Sequence, residues 1–197
     1  PYLFPRLVSG LQAAAPHMPL FIEESYTAVL RGKLSRGQLD AIFIALPFTE
    51  PEVVTKPVYD EPFVVVLPPD HPLAGAKRVD PAALAEHRVL LMGEGHCFRD
   101  QVLEACPGLN QAIQNDYASG HAVVEGSSLE TLKHMVASGL GITVLPRSAA
   151  ELASYGGKTL VVREFIEPVP QRTIAIAWRV SYPRHQAIDT MASVLRG

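Results

Sequence analysis

Strand-sized apolar runs and helix-period segments take turns along this chain from one end to the other, and that alternation restricts the fold more than any single motif. Leu3, Leu7, Leu11 and Ala14 follow helical spacing, and "APHMP" ends that helix. "LFIEESY" then reads as a strand, "TAVLRGKLSRG" as a short helix closed by Gly37, and "LDAIFIAL" as a strand suited to burial on both faces. Two more strands, "VVTKPVY" and "FVVVL", precede Asp80 and Pro81, an N-cap and first-position pair opening the helix "PAALAEH". "RVLLMG" returns as a strand and "CFRDQVLEAC" as a helix. "SSLE" offers a capping box, Ser127 with Glu130, before a helix on which Leu129, Leu132 and Val136 share a face and which Gly139 ends. The strands "GITVLP", "TLVVREF" and "RTIAIAWRV" follow, and a helix from His185 to Arg196 closes the pattern. Such regular alternation implies α/β layers with mainly parallel sheets.

At 197 residues and 48% hydrophobic, the chain can form one large domain or two small lobes. The Pro-rich points "LPPDHP" (67–72) and "EPVPQR" (167–172) are candidate crossings between lobes, with the tail returning to the first lobe and a cleft between them. A net charge of -3, without basic runs, argues that these residues are not themselves the surface that grips a phosphate backbone. The longest apolar runs fall well short of the roughly 18 residues of a membrane span. No signal peptide is visible and the chain opens abruptly on Pro1, so a piece of a cytoplasmic protein is expected. Two cysteines are too few for a secreted disulfide scaffold, which also fits a reducing compartment.

Those two cysteines, Cys97 and Cys106, lie nine residues apart in "LLMGEGHCFRDQVLEACPGLN". Gly93 and Gly95 permit a tight turn that puts Cys97 on the first turn of the following helix. There the helix dipole and neighbouring Arg99, or His96 if protonated, favour thiolate, while Asp100 pulls the other way unless Arg99 occupies it. Nine helical residues rise roughly 13 Å and turn about 900°, which leaves the sulfurs on opposite faces. A disulfide needs Cα atoms within about 7 Å, so these cysteines cannot pair while the helix stands, although the unwound segment can close a small loop. That property suits a switch, and two unrelated thiols are an equally open reading on spacing alone. No paired Cys/His spacing points to zinc, and the remaining histidines (His17, His71, His87, His121, His134, His185) read as structural.

"GHCFRDQVLEAC" resembles the signature of the OxyR family of peroxide-sensing LysR-type transcriptional regulators. "SRGQLDAIFIAL", "DEPFVVVLPPDHPLA", "SSLETLKHMVASGLGITVLP" and "QRTIAIAWR" are similar, in order, to blocks of the LysR-type effector domain, so the resemblance spans essentially the whole chain. It implies two Rossmann-like α/β lobes joined by two crossovers, similar to periplasmic binding proteins: 1–67 plus 171–197 as the first lobe, and 68–170 as the second, carrying the redox cysteines. It further implies that a winged helix-turn-helix, a linker helix and the first strand of lobe one precede this chain. Carried over by position, Cys97 resembles the peroxidatic cysteine and Cys106 the resolving cysteine that condenses with its sulfenic acid. His96, Thr27 and Arg172 match positions around the peroxide, and Arg99 and Asp100 match neighbours that tune the thiol. Plainer roles are open for each: Thr27 as a helix cap, His96 as a turn residue, Arg172 paired with a crossover carboxylate, Asp100 complementing the helix dipole. Two departures stand out: Phe98 replaces a common leucine, and the segment 107–126 is longer than the resemblance leads one to expect.

The reading that follows is the regulatory domain of a cytoplasmic, peroxide-activated transcription activator, not an enzyme. It needs no cofactor or metal, and it is reset by thiol reductants of the glutaredoxin or thioredoxin class. Its further partners are a homodimeric or homotetrameric assembly, DNA through the absent domain, and RNA polymerase. The rivals are a LysR-type effector domain that binds a small organic ligand and a thiol peroxidase using the same cysteines in turnover.

Overall fold

The structure, a computed structural model, describes residues 2–118, 124–150, 154–155 and 158–196; His121 and part of the long segment 107–126 lie outside the described residues. In chain order the elements are α1 (Phe4–Ala14), α2 (Thr27–Ser35), β1 (Ala41–Ala45), β2 (Val53–Leu67), β3 (Arg78–Val79), β4 (Val89–Met92), α3 (Cys97–Ala105) and α4 (Pro107–Ala118). Then come β5 (Glu125–Gly126), α5 (Leu129–Ala137), β6 (Ile142–Pro146), α6 (Arg147–Ala150), β7 (Ser154–Tyr155), β8 (Lys158–Thr159), β9 (Val161–Phe165), β10 (Gln171–Arg179) and α7 (His185–Arg196). Two compact units share them: unit 1 is Pro1–Glu61 with Arg172–Gly197, and unit 2 is Pro62–Gln171. The sequence reading sets the crossings at 67/68 and 170/171; in the structure "VVTKPVY" and "FVVVL" are one 15-residue strand, β2, and the chain passes from one unit to the other within it.

In unit 1, β1 pairs antiparallel with β10, from Ala41 opposite Trp178 to Ala45 opposite Ile174. Helix α7 buries Ile188, Met191, Ala192 and Leu195, the i, i+3, i+4, i+7 stripe of an amphipathic helix, against Leu7 and Leu11 of α1 and Ile176 and Trp178 of β10. Each fully buried Leu or Ile side chain of this cluster contributes roughly 1.5–3 kcal/mol. Burial of β1 on both faces is realised unevenly. Ile42 and Ile44 are buried beside Leu34 of α2, while Ala41 and Phe43 are only half-buried against the α1–α7 core, since β1 is the end strand of its sheet. The strand expected at "LFIEESY" does not form. No described strand offers these residues a ladder, and Leu20, Phe21 and Tyr26 stand exposed, so β propensity had nothing to pack against.

In unit 2 the strands run β3-β9-β2-β6-β4-β5. The expectation of mainly parallel sheets is corrected here. β4 pairs parallel with β5 and β6, and β3 with β9, but β2, which brings the chain into the unit, runs antiparallel to β6 and β9. Val64 to Leu67 and Val89 to Met92 are fully buried, as strands covered on both faces require. The helix expected after Asp80 is a 3-10 helix, Pro81–Glu86, and Asp80 Oδ1 accepts the Ala82 N–H at 2.8 Å. The cap of α5 falls one residue later than the box predicts: Ser128 Oγ, not Ser127, accepts the Thr131 N–H at 3.1 Å, and Glu130 pairs with Lys133 instead. Gly139 (φ +79) ends α5 as expected, and the Gly139 and Leu140 N–H groups return to Val136 and Met135.

Gly141 sits where the chain entering β6 presses on the residue before β4. A Cβ there would lie 2.5 Å from the Arg88 carbonyl oxygen, an atom that also accepts the Ile142 N–H. Gly141→Ala should therefore destabilise the fold by about 1–3 kcal/mol, through overpacking against backbone. A urea midpoint unchanged from wild type would contradict that close approach.

Candidate functional site

β4 is buried at all four positions, so it delivers the turn Gly93-Glu94-Gly95-His96 to the rim of unit 2 at a fixed place. Gly95 takes φ +81, which a side chain would resist, and the chain then turns into α3. His96 is the N-cap: its Nδ1 accepts the Phe98 N–H at 3.3 Å, an arrangement that leaves the ring proton on Nε2. Cys97 is the first residue of the helix and is exposed, at the end where the helix dipole favours negative charge. Phe98 anchors this turn by packing edge-on against Phe63 of β2, with ring centroids 5.3 Å apart.

Charge around the thiol is arranged differently from the sequence reading. Arg99 is 6% exposed, and its Nη1 donates to the Met92 carbonyl at 3.0 Å and to Glu125 Oε1 at 2.6 Å. Arg99 thus pairs with Glu125 of β5, while Asp100 lies exposed in the first turn of α3, where it complements the dipole. Glu125 had no local motif to announce it; only the pairing of β4 with β5 brings it beside the cysteine helix.

Cys106 occupies the opposite end. It is the C-cap of α3, with its N–H bonded to the Val102 carbonyl at 2.9 Å, and its own carbonyl accepts the Leu109 and Asn110 N–H groups of α4. Pro107-Gly108 therefore opens a second helix, Pro at its first position, and much of the long segment after Cys106 is that helix. Cys106 is 1% exposed, and burial pushes its thiol up to about 11. The cysteines are both free thiols, one at each end of α3.

Thr27 and Arg172 belong to unit 1, whereas His96, Cys97, Arg99, Asp100 and Cys106 belong to unit 2. Thr27 is the first residue of α2; the cap position is Tyr26, and no side chain caps that helix. Arg172 donates through Nε and Nη2 to Glu61 Oε2, at 2.8 and 2.6 Å. Glu61 is only 4% exposed, so Arg172→Met should destabilise the protein by about 3–5 kcal/mol by stripping the countercharge from a buried carboxylate. Adding Glu61→Gln should recover most of that loss in a urea melt; equal destabilisation of the single and double variants would show that the pair carries no such weight.

The family model of the LysR substrate binding domain matches residues 1–197, and the chain belongs to that family. Its two α/β units joined by two crossings are the periplasmic-binding-protein-like fold of such domains. Within the family it is similar to the reduced OxyR regulatory domain of Pseudomonas aeruginosa, with a TM-score of 0.86 and 53% identity over 99% of this chain and 91% of that one. It is also similar to a reduced form of OxyR from N. meningitidis, with a TM-score of 0.85 and 40% identity over 100% of this chain and 88% of that one. A probable hydrogen peroxide-inducible genes activator of Mycobacterium leprae is 39% identical over 195 residues, which are 99% of this chain and 60% of that relative. The chain thus spans about three fifths of the length of that curated relative. No helix among the described residues is long and apolar enough to cross a membrane.

Proposed function

We propose that this chain is the peroxide-responsive regulatory domain of a transcription activator, and that Cys97 and Cys106 carry the response. The observation that carries the reading is the placement of an exposed thiol at the N-terminus of α3 and a buried thiol at its C-terminus. The Cys97 thiolate attacks one oxygen of hydrogen peroxide, the O–O bond breaks, and the products are Cys97 sulfenic acid and hydroxide. Nε2–H of His96 is the proposed donor to the departing oxygen. Cys106 then attacks the Cys97 sulfur. The S–O bond breaks, the Cys106 proton leaves with the hydroxyl as water, and a disulfide remains. Because α3 separates the two sulfurs by its own length, that second step unwinds it.

DNA binding is assigned to a segment outside these residues, the working form to a homodimer or homotetramer, the setting to the cytoplasm, and the reset to thiol reductants that return the disulfide to two thiols. The reaction is stoichiometric, one peroxide per domain per activation, as a regulator and not an enzyme requires. The test is mass spectrometry with peptide mapping on the reduced protein before and after one equivalent of hydrogen peroxide, handled without oxygen. A rapid loss of two mass units in a peptide joining Cys97 to Cys106 is expected. An unchanged mass over minutes would overturn the proposal.

A further inference from the structure

We infer that the Arg99–Glu125 ion pair is a latch on the second chemical step: it must open before Cys97 reaches Cys106, and it therefore sets how readily an oxidised Cys97 becomes a disulfide. This rests on the cysteine chemistry proposed above. One guanidinium nitrogen ties three elements together, since Nη1 of Arg99 in α3 reaches both the last carbonyl of β4, at Met92, and Glu125 of β5. The strands it spans are held in register, Leu91 with Glu125 and Met92 with Gly126. The other carboxylate oxygen of Glu125 lies 3.6 Å from where a Cβ on Gly93 would be, so the carboxylate also flanks the turn that leads to Cys97.

Arg99 is two residues from Cys97, in the turn of α3 that must unwind first. Arg99 is buried although Glu125 is exposed, and a charge-assisted bond to a buried guanidinium is harder to leave than one between two solvated groups, because the guanidinium gives up its partner inside the protein. The interior of α3 supplies no comparable tie, for Gln101 Oε1 is buried without a hydrogen-bond partner among the described residues, which makes the helix easier to lose. Cys106 is tied to α4 through its carbonyl, which accepts the Leu109 and Asn110 N–H groups, so the unwinding of α3 leaves it anchored on that side. The pair consequently bears on disulfide closure and on the dithiol–disulfide equilibrium, not on the attack on peroxide. Glu125 is a positioning residue, and the chain runs from it through Gly126 and Ser127 to the Ser128 cap of α5, so opening the latch also frees the lead into that helix.

The test separates the two steps with Glu125→Gln. In a Cys106→Ser background, sulfenic acid formation, trapped with dimedone and read by mass, should be the same with and without Glu125→Gln to within about twofold. With both cysteines present, Glu125→Gln should close the disulfide about tenfold faster. Its dithiol–disulfide equilibrium against glutathione should move about tenfold toward disulfide, which is about 30 mV for a two-electron couple. Glu125→Asp, which keeps the charge, should stay near wild type. If Glu125→Gln does not fold, Arg99→Met with Glu125→Met removes the pair without stranding a charge, and the same closure and equilibrium shifts are expected. Wild-type closure and equilibrium in a folded variant would overturn the latch. Failure of the wild type itself to close would instead overturn the cysteine chemistry beneath it.

Discussion

Cys97→Ser is expected to abolish the reaction with hydrogen peroxide, and Cys106→Ser to leave it intact but arrested at the sulfenic acid. The asymmetry follows from where α3 puts the two sulfurs. Cys97 is exposed in the first turn of the helix, at the positive end of its dipole, whereas Cys106 is 1% exposed. A serine hydroxyl at position 97 has neither the acidity nor the nucleophilicity of a thiol, so the fall in rate should be about 10³-fold or more. Stopped mixing with peroxide followed by dimedone and mass analysis reads both outcomes. A Cys97→Ser protein that consumes peroxide at the wild-type rate would place the chemistry elsewhere.

The second large effect is selectivity in alkylation. Burial lifts the Cys106 thiol from its ordinary value of 9.0 to about 11, so at pH 7 about one molecule in 10⁴ carries that thiolate, and it remains covered even then. Iodoacetamide should modify Cys97 at least about 10³-fold faster than Cys106 in the folded reduced protein, and urea should bring the two rates together. A thiol whose folded pKa is raised favours the fold below its unfolded pKa. That contribution is present at neutral pH and is lost as pH rises through about 9 toward about 11. The reduced domain should accordingly lose stability in mild alkali, and Cys106→Ala should flatten that loss. Equal labelling of both cysteines at pH 7 would mean that Cys106 is not held in the interior.

Much of this arrangement was legible in the residues, because its determinants are local. The glycines before Cys97, the length of the helix between the cysteines and the closing helix from His185 to Arg196 follow from spacing alone. What escaped is what long-range pairing decides. Nothing near Glu125 marks it as the partner of Arg99; that follows from β5 lying beside β4. Lys133 is 1% exposed because its Nζ reaches the Ala149 carbonyl and Glu130, contacts that no pattern within α5 foretells. "LFIEESY" has the composition of a strand and lacks a neighbour to make it one. Arg172 is the intermediate case, since a crossover carboxylate was among its readings and Glu61 is that carboxylate.

Cys106 closes one helix and starts the next, with its N–H committed backward to Val102 and its carbonyl forward to Leu109 and Asn110. Helix α4 holds that junction down with buried Leu109 and Ile113. The two sulfurs are therefore unequal travellers: one is moored and the other rides on the free end of a line that pays out through the Gly95 turn. In the chemistry proposed above, peroxide marks the Cys97 end, and the displacement that would follow has a direction built into it, toward the mooring.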